Sequence, residues 1–140
     1  MTTIYDAIQE IQAVVSAVPG IRLSPDAPPD QIAAFPAAIC YSRAADWTLH
    51  DATFWTALHT IVIEIHAPRQ GLARAVAATA SYGDLITKAI YAAFVAGTFT
   101  TFQAPGTIRG EFLPMKWDTT DTIGWRLFIE NVKIQSGVAS

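Results

Sequence analysis

The chain has 140 residues, a single cysteine and a net charge of −3, a length that fits one domain with a core of its own. Only 15% of its residues are charged while 51% are hydrophobic. About 25% charge is usual in soluble domains, so the surface must be poor in charge. The nine Lys and Arg residues stand singly, which argues against nucleic-acid binding as the main role, and a lone Cys40 leaves no internal disulfide.

The N-terminal "MTTIYDAIQEIQ" has acids and no basic stretch, so it does not read as a secretory signal. The spacing predicts a helix over Thr3 to Val18, because Ile4, Ile8, Ile11, Val15 and Val18 recur every three or four residues. Thr3 followed by Asp6 has the form of a capping box, and Pro19-Gly20 stops the helix. "IRL" at Ile21 to Leu23 is a short strand. "SPDAPPDQ" is a loop, since its prolines remove amide donors. "FPAAICYSR" is a strand opened by Pro36, with Ile39 and Tyr41 on one face and Ala38 and Cys40 on the other. "AADWTLHD" is then a loop with Trp47 protruding.

"ATFWTALHTIVIEIHAP", from Ala52 to Pro68, alternates as a long strand, but both faces are apolar. Trp55, Ala57, His59, Ile61, Ile63 and Ile65 point one way. Phe54, Thr56, Leu58, Thr60, Val62, Glu64 and His66 point the other. An antiparallel sheet commonly wets one face, so the second face here needs a cover.

Beyond Gly71 the alanine-rich stretch carries a helical stripe of Leu72, Val76, Ile86, Ile90 and Phe94. A kink or a joint between two helices is expected at Gly83-Asp84, where glycine costs about 1 kcal/mol against alanine. The longest apolar run, "AIYAAFVAG", is too short to span a bilayer, which fits a soluble protein made inside the cell. "TFTTFQA" and "TIRGEFLP" read as a hairpin about Pro105-Gly106, and "MKWDTTDT" as a polar loop. "IGWRLFIENVKIQ" is the last strand. Its apolar parity shifts after Ile129, which predicts a bulge near Glu130-Asn131. The expected fold is α+β in a single domain over residues 1–140: a mainly antiparallel β-sheet with two principal helices packed on one face.

Candidate chemistry is sparse. His59 and His66 are seven apart on one strand and so face opposite ways, and His50 has no second ligand nearby, so no metal site is expected. Cys40 inside a strand reads as a buried structural thiol. "GTIRG", Gly106 to Gly110, lacks the pattern of a phosphate loop. Glu64 and Glu130 lie within apolar strands and need a cation, for which Arg126 and Lys133 are placed; the alternative is an acid/base pair. Trp47 and Trp117 sit in the expected polar loops. They are either anchors for a partner or rings folded back on their own chain.

The helix from Ile4, then "FPAAICYSRAADW", "TFWTALHTIVIEIHAP", a second helix and a last strand "TIGWRLFIENVKIQ" together resemble the tail terminator proteins of long-tailed bacteriophages (tail completion, minor tail U-like). The resemblance runs from Ile4 to about Gln135. It rests on the order of strand-forming residues rather than on one signature. It implies an α+β virion structural protein, neither an enzyme nor a cofactor binder, that forms a homo-oligomeric ring, commonly a hexamer. Such a ring caps the tail tube protein, ends tail polymerisation and offers the docking surface for the head-completion or neck protein. Genomic DNA only passes through its lumen, and no membrane is involved. On this reading the next subunit or the tube covers part of the second strand face, and the contact residues are Trp47, Phe54, Leu58, Val62 and Trp117. The alternatives are another head–tail joining protein, or a small α+β enzyme or ligand-binding dimer using Glu64, His59 or Glu130.

Overall fold

A computed structural model of the protein describes residues 3–25, 28–69, 72–102 and 106–135. The elements in chain order are helix α1 (Ile4–Ser16), strands β1 (Ala37–Leu49) and β2 (Trp55–Pro68), helices α2 (Leu72–Thr79) and α3 (Tyr82–Val95), and strands β3 (Thr107–Trp117) and β4 (Thr120–Gln135). The fold is α+β. Its four strands form one antiparallel sheet in the order β1-β2-β4-β3, so β4 lies between β2 and β3.

α1 starts where the sequence says it should. Asp6 N–H donates to Thr3 Oγ1 at 3.4 Å and Thr3 N–H donates to Asp6 Oδ2 at 2.8 Å, which pairs two of the amides a helix start leaves open. Ala7, Ile8, Ile11 and Val15 are its buried stripe. They pack with Ile61, Ile63 and Ile65 of β2, Ala38 and Cys40 of β1, Leu127, Ile129, Val132 and Ile134 of β4, and Ile86 and Ile90 of α3. All of these strand residues share one parity in register, and this inner face of the sheet is the one the helices cover. Each isoleucine fully buried here contributes about 2 kcal/mol.

Four local expectations give way. The "AADWTL" segment continues β1 to Leu49 instead of looping, because Ala44 through Leu49 pair with Thr60 through Trp55. The helix joint lies at Ala80-Ser81, not at Gly83-Asp84. Gly83 sits inside α3, where a Cβ would stand 2.9 Å from Trp125 Cε2, so the glycine is there for ring packing rather than for a break. The "MKWDTTDT" stretch is mostly strand. The hairpin of this region joins β3 to β4 through Asp118-Thr119, with Asp118 at φ 55°. "TFTT" forms no strand, and the turn expected at Pro105-Gly106 falls partly on residues 103–105, outside the described ones, as do Gly71 and the Leu72 side chain.

The expected bulge is present. His59 pairs with Val132 and Ile61 with Ile129, so Glu130 and Asn131 both stand against Thr60, and Asn131 takes φ 64°. A second irregularity leaves Arg43 as an extra residue of β1 between Ser42 and Ala44. Both bulges flank the same point of β2. Bulges bend a strand and sharpen its twist; beyond them β1, β2 and β4 stay paired as far as Leu49, Trp55 and Gln135, and this end of the sheet, closed by the β1–β2 turn, is called the arm.

Candidate functional site

The outer face of the sheet, turned away from the helices, holds the densest polar chemistry in the chain. Register sets Ile39, Glu64, Arg126 and Glu111 in one row, and Tyr41, Val62, Phe128 and Arg109 in the next. His66 lies two residues beyond Glu64 on the same face. Its Nε2 donates to Glu64 Oε1 at 2.9 Å, and its Nδ1 stands 2.6 Å from the Thr122 hydroxyl. The Tyr41 phenol donates to Glu64 Oε2, and Arg126 Nε lies 3.5 Å from that same oxygen. Burial alone would raise the Glu64 pKa. The bonds from His66 and Tyr41, helped by the Arg126 charge, outweigh it and hold the carboxyl below its ordinary value. Burial, and next the bond to Glu64, push the Tyr41 phenol upward.

A hydroxyl, an imidazole and a carboxylate in line have the order of nucleophile, base and orienting acid. The cluster nevertheless offers no access. His66 and Thr122 are fully buried and Glu64 nearly so. Trp117 sets its ring edge-on to His66, centroids 5.5 Å apart, and donates from Nε1 to the Pro29 carbonyl at 2.8 Å. The segment before β1 is thereby tied across this face. Arg43 and Arg109 lie over the Phe128 ring at 5.1 and 4.4 Å and cover the next row with cation–π contacts. As built, the cluster is a polar clamp that joins β1, β2 and β4.

The other sequence candidates do not join it. His59 faces the inner side, 3.1 Å from the Ser42 hydroxyl and edge-on to Trp47, and burial lowers its pKa. Glu130 lies 3.5 Å from Arg109 Nε rather than beside Lys133. Cys40 is buried, which pushes its thiol pKa up. Among the described residues no group of three or more His, Cys, Asp or Glu side chains gathers as a metal site would require. The sequence reading missed Tyr41 and Thr122 as partners; their signal was the strand register, which places Tyr41 diagonal to Glu64.

The five candidate contact residues separate. Val62 is 0% exposed, sealed by this chain's own atoms, so it presents no surface to a partner. Trp117 is half-buried and folded back as just described. Phe54 is half-buried at the arm's turn, where its ring stacks on His50 with centroids 4.6 Å apart. Trp47 and Leu58 stay open at 61% and 45%, joined by Leu49 at 79%, which the sequence reading did not single out. These three sit on the arm. β1 is also an edge of the sheet, and among the described residues its outer side is paired only at the isolated Leu23–Ala37 bridge. Beyond Arg43 that edge carries neither proline nor lysine; its guards are the Arg43 bulge and the exposed Asp46.

No protein-family model matches the chain, and no curated protein matches its sequence. Among the described residues no helix is long and apolar enough to cross a membrane.

Proposed function

We propose that this protein is a virion structural protein of a long-tailed bacteriophage or prophage, the tail terminator, which works as a homo-oligomeric ring. The ring caps the tail tube, ends its polymerisation and gives the neck proteins a docking surface. The observation that carries this reading is the arm, where β1 is an open edge of the sheet and Trp47 and Leu49 stand in water. An open, apolar edge is a template for another chain, and large exposed apolar groups mark interaction sites. The α+β fold and the order of its elements agree with what the sequence resemblance implies. The sealed Glu64–His66–Thr122 clamp supports a structural role over a catalytic one, because a catalytic hydroxyl must reach substrate. Membership in the virion, six-fold stoichiometry and passage of DNA through the lumen belong to this proposal.

The test has two parts. Sedimentation and negative-stain images of the purified protein are expected to yield ring-shaped particles at high concentration. Deleting the gene is expected to yield overlong tubes. Tails of normal length without heads would instead assign the protein to head–tail joining.

A further inference from the structure

Both edges of the sheet are open. Among the described residues β1 is paired on its outer side only at Ala37, beside Leu23, and no strand lies beyond β3. Neighbouring strands alternate in direction through β1, β2, β4 and β3, so β1 and β3 run opposite ways. A second copy laid beside the first in the same orientation therefore brings its β3 antiparallel to β1. The outer face then continues the outer face, and the helix side continues the helix side.

Charge selects which residues meet. On the outer face β1 carries Arg43 and Asp46, and among the described residues neither enters an ion pair within the chain. On the same face β3 carries Arg109 and Glu111, both exposed. Arg109 already meets Glu111 at 2.9 Å and Glu130 at 3.5 Å, and the five donors of a guanidinium serve a further carboxylate. Placing Asp46 opposite Arg109 of the next copy sets the bulge residues Arg43 and Ala44 opposite Glu111, Ala45 opposite Gly110, Trp47 opposite Ile108 and Thr48 opposite Thr107. Each pair then shares a face. A slip by one residue inverts the faces. A slip by two sets Asp46 against Glu111 in one direction and Arg43 against Arg109 in the other, and like charges directly opposite destabilise a strand pair. The blocked stretches of the two edges also coincide. Pro114, which has no amide to give, falls opposite Cys40, next to where Ala38 N–H already donates to the Leu23 carbonyl at 2.8 Å.

The same register has a place for Trp47. Its indole is 61% exposed and stands on the helix side, edge-on to His59. On that side, between α3 and β3, opens a pocket of ≈ 240 Å³ lined by Ile90, Tyr91, Phe94, Gly106 and Ile108. Ile108 is the residue opposite Trp47, and Gly106 the one opposite Leu49. Trp47 cannot reach the pocket of its own chain, because β2 and β4 intervene and hold β1 roughly 14 Å from β3.

We infer that β1 of one copy pairs antiparallel with β3 of the next, with Asp46 opposite Arg109 and Trp47 seated in the α3–β3 pocket. This rests on the assembly proposed above and specifies its contact. Two different edges meet, so the contact is heterologous, and closing the ring leaves no edge free. Backbone pairing and the buried indole hold the copies together, while the charges fix the register.

Cross-linking separates this inference from the assembly reading. Thr48 and Thr107 are exposed and stand opposite one another across the contact, where Cβ atoms are about 5 Å apart. Thr48→Cys and Thr107→Cys proteins, mixed and mildly oxidised, are expected to form disulfide-linked dimers that neither forms alone; a chain with both changes forms a ladder of covalent multimers. Cys40 is buried and does not compete. Trp47→Ala and Asp46→Arg, both at exposed positions, should melt as the wild type does when all are dilute and monomeric, while Trp47→Ala weakens association by roughly tenfold or more and Asp46→Arg weakens it through the like charge of Arg109. Should oligomers form while the two Cys proteins stay unlinked, or while neither of the other variants weakens them, the β1–β3 contact is overturned and the ring stands. Pairing β1 with β1 across a two-fold axis also sets Arg43 against Asp46, but it leaves the pocket empty and stops at two copies. Assembly that ends at a dimer, or a wild-type protein that stays monomeric at the highest concentration reached, overturns both the contact and the ring.

Discussion

Glu64 shows how a charged residue survives inside a sheet. Its two carboxylate oxygens meet a ring nitrogen, a phenol and a guanidinium, so the ion keeps partners in place of the water it loses. Replacing it with Gln leaves the shape but removes the charge that Arg126 faces, and among the described residues Arg126 Nε already has no hydrogen-bond partner. A loss of about 2 kcal/mol is expected for Glu64→Gln, read as a lower urea midpoint at unchanged slope. The pH dependence follows from signs. His59 has a lowered folded pKa, so the unfolded chain takes up the proton first, and this contribution fades as pH falls below about 6.5. The lowered pKa of Glu64 and that of Glu10 stabilise above the ordinary carboxylate range and are lost only as pH drops below about 4. Stability should therefore fall in two stages on acidification. His59→Gln should flatten the upper one; an unchanged profile in that variant would show the attribution to His59 to be mistaken. The sequence placed Glu64 in an apolar strand and offered Arg126 and Lys133 as cations for it and Glu130, of which Arg126 is the one beside Glu64. It was silent on Tyr41 and Thr122, because a partner across strands is fixed by register.

Elements with a strong period were legible, and those decided by pairing were not. α1 had a stripe and a capping box, and β2 was a long run of strand-forming residues. The bulge at Glu130-Asn131 announced itself as a change of parity, since a strand with one buried face cannot slip by a residue without inverting it. "AADWTL" and "MKW" read as loops because acids lie within them or directly after them, yet backbone pairing with β2 and β4 makes both of them strand. The cover over this outer face was illegible for a related reason: it comes from Trp117, tied to Pro29, against His66 and from Arg43 and Arg109 over Phe128, residues scattered along the chain. The bulge makes a sharp prediction. Asn131 holds φ 64°, a conformation that asparagine and glycine tolerate and β-branched residues resist. Asn131→Gly should be close to neutral, while Asn131→Val should cost about 1–2 kcal/mol, comparable to the left-handed penalty. Equal melting temperatures for the two variants would mean the bulge relaxes without cost. Gly124 is the harder constraint. A Cβ there would lie 1.8 Å from the Ile65 carbonyl oxygen, so Gly124→Ala must part β2 from β4 and is expected to destabilise by about 3 kcal/mol.

At the scale of the whole molecule, the excess of apolar residues is housed more completely than the alternation of β2 implied. Both faces of its central part are closed, one by the helices and one by the chain's own tryptophan, arginines and pre-strand segment. The large apolar side chains that stay in water are Trp47, Leu49 and Leu58 on the arm, Leu85, Tyr91 and Val95 on α3, and Tyr5 and Val76 elsewhere, so the low charge content bears on those places. Their character sets how any assembly should respond to salt. Copies of net charge −3 repel one another weakly, and a single charge pair at the rim of a contact is worth about 0–1 kcal/mol. Burial of Trp47 and Leu49 is independent of screening. At 1 M salt the Debye length is about 3 Å, which removes the rim pair and the repulsion together and leaves the apolar term intact. Association should therefore persist or tighten between 0.1 and about 1 M sodium chloride, and calorimetry should give a negative heat-capacity change, the mark of apolar surface leaving water. Dissociation at high salt would show that charge holds the copies together, and the exposed aromatics of the arm would then need another explanation.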